Sequence, residues 1–321
     1  MLIPIALFVL GFVCLIKGGD WFVDGSVGLA RRFRVSELLI GATVVSIGTT
    51  LPEVMVSTAS AIGGHGELAY GNAIGSVICN AALIAALSIA VRPGKVDPRS
   101  LRVPVIFFFT AALAYAAVAY FAGSFTRPFG FVLLGLFVAY MIINIRSMKQ
   151  QPEPEPEKAG QEPEKPLSTE ILQLIAGAAL IAVGARLLVD NGTLIAQWLG
   201  VPESVIALTF VALGTSLPEL VTAVTALVKG HSDLSLGNVI GANVFNLVLV
   251  SGLSVAVAPF RVPQSAVFLG HNASLALELP VMFFVMLLLT VPALLKGKTY
   301  RLQGIGMLLI YAAFCAVQFS L

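Results

Sequence analysis

Apolar residues run along this chain in ten long blocks, near residues 2–30, 37–62, 70–91, 101–122, 129–146, 168–198, 203–228, 236–258, 273–295 and 302–319, with short polar breaks between them. A helix needs about 20 apolar residues to cross the hydrocarbon of a bilayer, and most blocks reach that length. The pattern predicts an all-α integral membrane fold of ten transmembrane helices. The first block has no basic n-region and no small-residue cleavage site, so it reads as a span and not as a signal peptide.

The pattern also repeats. Gly48-Thr49-Thr50-Leu51-Pro52-Glu53 returns as Gly214-Thr215-Ser216-Leu217-Pro218-Glu219, 166 positions later. From Gly48 to Asn80, 13 of 33 residues are identical to their mates at that offset. Gly11 with Gly177, Gly18 with Gly184 and Asp24 with Asp190 share it. The correspondence resumes at Leu101 against Leu277, offset 176, so ten residues have been added before the ninth span. Five spans per copy is an odd number, which turns the second copy upside down relative to the first. The predicted plan is a first five-helix repeat at 1–146, a linker at 147–167 and a second repeat at 168–321, together one transport domain.

Composition agrees with this plan and excludes a soluble domain. Hydrophobic residues make up 58% and charged ones 11%, with mean hydropathy +0.94, whereas soluble domains carry about 25% charge. The placement of charge is informative. With the N-terminus outside, fifteen of the nineteen Lys and Arg residues fall in or next to inside loops and two (Arg127 and Arg261) in outside loops. That is a positive-inside bias, and it predicts both termini outside and the central linker in the cytoplasm. The linker, with Pro152-Glu153-Pro154-Glu155-Pro156-Glu157 at its centre, is too polar to pack and reads as disordered. Cys14, Cys79 and Cys315 fall in spans with no pairing pattern.

An ionisable residue inside a span is expensive and signals function. Glu53 and Glu219 are such residues, each next to a helix-breaking proline. The missing N–H of the proline is expected to free the carbonyl of Gly48 or Gly214 and to break the helix there. Ser46, Thr49 and Glu53 share one helical face, and Asn72, Ser76 and Asn80 share another. Polar contact between helices would explain the asparagines alone, but not an unpaired Glu in both halves. Hydroxyls, freed carbonyls and carboxylates together make a pocket for a hard cation. The other charges of the first and sixth spans (Lys17, Asp20, Asp24, Arg186, Asp190) are expected to pair locally at i,i+3 or i,i+4 spacing. His65 and His231, each beside glycine and an acid, are read as turn chemistry, although a proton sensor has the same ingredients.

The two Gly-Thr-Thr/Ser-Leu-Pro-Glu copies are each followed by Gly-Asn-x-Ile-Gly (71–75 and 237–241) and by an asparagine 27 positions after the Glu. This constellation resembles the alpha-repeats of the sodium/calcium exchanger family, in particular its short prokaryotic members, over nearly the whole chain. The resemblance implies that the second, third, seventh and eighth helices hold the ions while the first and sixth slide past them. It implies central carboxylate ligands at Glu53 and Glu219, and hydroxyl and carbonyl ligands at Thr49, Thr50, Thr215 and Ser216. Backbone carbonyls at Ser46 and Ala212 and side chains at Ser76, Asn80 and Asn246 complete the implied set. Two positions depart from the family pattern. Ala242 stands where a serine ligand is common, and Asn246 where some members, including the potassium-dependent branch, have Asp.

The expected function is secondary antiport of Na+ for Ca2+, expelling calcium from the cell across the inner membrane. It is expected to be electrogenic, at three Na+ per Ca2+ by the family pattern, and independent of K+. Ca2+/H+ antiport is the alternative. An intramembrane hydrolase would need a Ser/His dyad, a metal cluster or a catalytic aspartate pair; the spans carry no histidine with metal-ligand spacing, Glu53 and Glu219 are set for coordination, and inverted repeats argue against an open channel. No enzymatic activity, bound cofactor, nucleic acid or protein partner is expected. The partners are the transported ions and the lipid bilayer.

Overall fold

In lipid the backbone must satisfy its own N–H and C=O groups, and the helix is the way a single apolar segment does so. The computed structural model describes residues 2–148, 165–199 and 214–321. It contains α1 (Leu2–Arg32), α2 (Glu37–Ile62), α3 (Gly66–Val91), α4 (Pro98–Phe121), α5 (Arg127–Met148), α6 (Leu167–Trp198), α7 (Leu217–Val228), α8 (Ser232–Val257), α9 (Ser274–Lys296) and α10 (Arg301–Gln318). Among the described residues all but α7 are long and apolar enough to cross a membrane. The first part of the seventh predicted span and most of the predicted linker lie outside the described residues. α5 runs to Met148 and α6 starts at Leu167.

The inversion of the repeats can be seen in how α1 meets α6. These two long helices cross antiparallel, with reciprocal close approaches at two glycine pairs. A Cβ on Gly11 would lie 3.0 Å from the Gly184 carbonyl, and one on Gly18 would lie 2.9 Å from the Gly177 carbonyl. Gly11 is the mate of Gly177 and Gly18 the mate of Gly184, so the repeat operation exchanges one contact with the other. That is the behaviour of a two-fold axis relating inverted halves. Only glycine permits backbones this close in a membrane interface.

α1 and α6 form an arm with its own small apolar cluster, built on Leu15, Phe22, Val23, Ile181 and Leu188. A larger core, with Tyr115, Tyr140, Phe108, Phe125 and Phe245 among its members, holds α3, α4, α5, α8 and α9. α8 is its centre, buried along most of its length. α8 meets α2 so closely that Gly237 and Gly241 would place a Cβ against Leu38 and Ala42.

Two antiparallel two-residue pairings complete the fold. β1 (Ser124–Phe125) pairs with β2 (Phe260–Arg261), and β3 (Val267–Phe268) with β4 (His271–Asn272). The β3–β4 hairpin lies within the stretch where the repeat offset changes from 166 to 176, where the ten residues have been added.

The charges of the arm are only partly paired as expected. Arg186 and Asp190 form an i,i+4 pair at 3.5 Å. Asp20 and Asp24 instead reach Lys229 at the C-terminal end of α7, at 3.3 and 2.7 Å. A lysine there meets the carbonyl end of the helix dipole as well as two carboxylates, and this outcompetes a pairing along α1. The turn reading of the two histidine segments agrees with Gly64 and Gly230, whose φ values are 83° and 90°. His231 also bonds Glu37 through Nδ1 at 2.9 Å, which ties the α7–α8 turn to the start of α2.

Candidate cation-binding site

The site grows from two irregularities that recur in both repeats. α3 widens into a π-helical turn over Asn80–Ala85, and α8 does so over Asn246–Val250. The two turns start at mates, Asn80 and Asn246. Such bulges loosen the i→i−4 ladder and cluster at functional sites. α2 carries a third, over Gly41–Val45, just before Ser46. The two prolines differ: Thr215 and Ser216 form a turn just before α7 starts at Leu217, so the chain is interrupted next to Pro218, but not at Pro52. α2 continues helically through Pro52 from Ser46 to Ile62, so the expected break is absent. The remaining ladder bonds of this 17-residue helix, and its buried face of Ser46, Thr49, Thr50 and Glu53, carry it across one missing N–H. Pro218 lies in the first turn of α7, where a missing donor costs no ladder bond.

Glu53 on α2 and Glu219 on α7 are each 0% exposed and are electrostatic neighbours across the two-fold. Glu219 Oε1 accepts a hydrogen bond from Thr50 Oγ1 at 3.3 Å. Neither oxygen of Glu53, nor Oε2 of Glu219, has a hydrogen-bond partner among the described residues. Both polar atoms of the Asn80 and Asn246 side chains are also buried without partners. The turn bearing Asn80 packs on α7, and the turn bearing Asn246 packs on α2, so each carboxylate helix meets the asparagine turn of the opposite repeat. Buried polar groups are normally hydrogen-bonded. A concentration of unpaired oxygens around two carboxylates is chemically suited to a hard cation.

The remaining expected ligands surround this centre. Ser216 Oγ donates to Ser76 Oγ at 3.4 Å, and both residues are buried. Thr49 is buried and Thr215 half-buried. Thr49 Oγ1 donates to Asn238 Oδ1 at 3.2 Å and Thr215 Oγ1 to Asn72 Oδ1 at 3.1 Å. Ser46 spends its hydroxyl on backbone carbonyls, those of Gly41 at 2.8 Å and Asn238 at 2.9 Å. Ala212 lies outside the described residues. A cleft lined by Gly48, Thr49, Pro52 and Pro218 on one side and Phe22, Ala178, Ile181 and Ala182 on the other separates the site from the arm. Among the described residues no group of three His, Cys, Asp or Glu side chains could hold a metal, so the donors gathered here are two carboxylates and neutral oxygens.

Asn238 and Thr222 were not anticipated as part of the site. Asn238 is wholly buried beside Thr49 with Nδ2 unpaired, and Thr222 is buried one turn after Glu219 with its hydroxyl unpaired. The signal for Asn238 was present in the Gly-Asn pair that recurs at the repeat offset. Thr222 had none, because its mate is Val56.

A fold of inverted helical repeats around two buried carboxylates defines a secondary cation transporter. The model of the family described as sodium/calcium exchanger protein matches residues 3–146 and 169–320. The chain is 33% identical over 327 residues to the putative antiporter CaxA of Alkalimonas amylolytica, covering 100% of this chain and 99% of that one. It is 30% identical over 349 residues to the sodium/calcium exchanger MaX1 of Methanosarcina acetivorans, covering 98% and 97%. The fold matches the sodium-calcium exchanger NCX_Mj soaked with 2.5 mM Na+ and 0.1 mM Ca2+ at a TM-score of 0.83 and 31% identity, over 98% of each chain. The chain therefore belongs to the sodium/calcium exchanger family. It is a multi-pass membrane protein of the cation/calcium antiporter class, and its family is one of ion exchangers.

Proposed function

We propose that this chain exchanges Na+ for Ca2+ by alternating access and expels calcium across the inner membrane, with both termini outside and the 147–167 linker in the cytoplasm. The observation that carries the reading is the pair of fully buried carboxylates, Glu53 and Glu219, with unpaired oxygens. Two buried negative charges without a partner are costly, and a divalent cation cancels them. Glu53, Glu219, Thr49, Thr50, Ser76, Asn80, Thr215, Ser216 and Asn246 supply side-chain oxygens, and Ser46 and Ala212 supply carbonyls. Ca2+ takes 6–8 oxygen ligands in typical sites, which this set can provide without a third acid.

The same charge count makes the exchange electrogenic. With Ca2+ bound, Glu53 and Glu219 leave the site neutral. With three Na+, the stoichiometry that family membership suggests, the site carries one excess positive charge. Asn80 and Asn246 are neutral and cannot cancel it. Each cycle then moves one charge inward, a step worth roughly 2.3 kcal/mol per 100 mV. The absence of a third carboxylate at Asn246 also removes the anchor for an additional monovalent ion, so K+ is dispensable.

Isotopic calcium flux in proteoliposomes tests the proposal, with Na+, K+ and H+ gradients imposed in turn and the voltage clamped by an ionophore. Calcium flux driven by Na+ alone and accelerated when the Na+-receiving side is negative is the expected result. Flux driven by a proton gradient in the absence of Na+, at rates indifferent to voltage, would establish the Ca2+/H+ alternative.

A further inference from the structure

The two asparagines of the Gly-Asn pairs do more than join helices. Asn72 and Asn238 are mates at the repeat offset, as are Thr49 and Thr215. Each asparagine serves the threonine of the other repeat. Thr215 Oγ1 donates to Asn72 Oδ1 at 3.1 Å, and Thr49 Oγ1 donates to Asn238 Oδ1 at 3.2 Å.

The direction of the first bond follows from its surroundings. Asn72 Nδ2 lies 2.8 Å from Ser57 Oγ and 3.4 Å from the Glu53 carbonyl oxygen. A peptide carbonyl only accepts, so the amide nitrogen must face it, which turns Oδ1 toward Thr215. Asn238 is held less fully. The mate of Ser57 is Ala223, which has no hydroxyl to accept, and Asn238 Nδ2 is buried with no partner among the described residues.

A hydroxyl carries one proton and two lone pairs. Beside two carboxylates that proton would turn toward a carboxylate oxygen, taking one acceptor from a cation and aiming a positive dipole into the site. An acceptor on the far side prevents this. We propose that Asn72 and Asn238 are positioning residues of the transport site, each withdrawing the hydroxyl proton of the opposite repeat's threonine so that the threonine lone pairs face the cation. Both bonds run between repeats, so ligand orientation is tied to the contact between the two halves. The inference rests on the cation-site reading given above.

A double-mutant cycle on the purified full chain tests it, with Ca2+ affinity measured by titration calorimetry and ion-free thermal stability recorded alongside. Asn72→Leu should weaken Ca2+ binding about tenfold, the scale of one hydrogen bond made at a charged site. Thr215→Val should weaken it similarly. If Asn72 acts through Thr215, the double variant binds no worse than the weaker single variant. The Asn238→Leu and Thr49→Val cycle repeats the measurement in the other half, and serves if Asn72→Leu does not fold. Multiplying losses in the double variants, or an unchanged Ca2+ affinity with lowered ion-free stability, would overturn the positioning role. Glu53→Gln serves as the control for the site itself. If it too leaves Ca2+ affinity unchanged, the cation-site reading is what has failed.

Discussion

Replacing Glu53 by glutamine keeps its shape and removes its charge, so the consequence can be worked from the structure. Glu53 is wholly buried and neither carboxylate oxygen has a hydrogen-bond partner among the described residues. The ion-free protein therefore loses no bond and should fold at least as stably as the wild type. The Ca2+-bound protein loses one of two charges opposing a divalent ion. Removing one partner of a buried pair costs about 3–5 kcal/mol, which corresponds to a loss in affinity of roughly a hundredfold to several thousandfold. Thermal unfolding in detergent reads both effects together. At a Ca2+ concentration 100 times Kd, binding stabilises the folded state by about 2.7 kcal/mol, and after a hundredfold loss the same concentration gives only about 0.4 kcal/mol. Ca2+ should thus raise the melting temperature of the wild type by several degrees and that of Glu53→Gln by about one degree. Glu219→Gln should behave alike, since Glu219 Oε1 keeps the Thr50 hydrogen bond after the change. A variant with an undiminished Ca2+-dependent shift would refute the reasoning, because it would place the ion somewhere that does not need this charge.

Further predictions follow from the arm and from the ion pairs. Gly177→Ala puts a Cβ within 2.5 Å of the Phe22 backbone nitrogen and 2.8 Å of the Gly18 carbonyl, so it should separate α1 from α6 at a cost of about 1–3 kcal/mol, visible as a lower melting temperature. Lys229→Met removes the bridge from α7 to Asp20 and Asp24 and should loosen α1 from the core at that end, increasing maleimide labelling of a cysteine introduced at Thr225; unchanged labelling would count against the bridge as a brace. Withholding K+ should leave Na+-driven calcium flux intact, whereas Asn246→Asp, which adds a third buried acid, should alter ion preference in the same flux assay.

The inverted plan could be read from the sequence because lipid forces apolar helices and because the repeat spans an odd number of them. The reciprocal contacts of Gly11 with Gly184 and of Gly18 with Gly177 agree with that count. Glu53 and Glu219 were legible as a buried acid recurring at a fixed offset. The π-helical turns at Asn80 and Asn246 were not legible, because one inserted residue changes the period over too short a stretch to register against a 3.6-residue pattern. The helix break expected at Pro52 weighed a local rule against a 17-residue helix whose other ladder bonds and buried face keep it continuous. The pairing of Asp20 and Asp24 with Lys229 is a contact between segments some 205 residues apart, invisible to any i,i+4 rule. The same holds for the bonds from Asn72 and Asn238 to the opposite threonines. The motif shows the four residues, while their pairing requires the two repeats to be folded against each other.

The central claim, that calcium is carried between Glu53 and Glu219, is tested most directly by diffraction from crystals of this protein soaked in Ca2+ or Sr2+ and measured for anomalous signal. A single intramembrane divalent peak is predicted, with oxygens of both Glu53 and Glu219 at about 2.3–2.6 Å in the Ca2+ crystals, and its loss in Glu53→Gln crystals. A peak coordinated by only one of the two carboxylates, or lying elsewhere in the membrane-spanning region, would contradict the account.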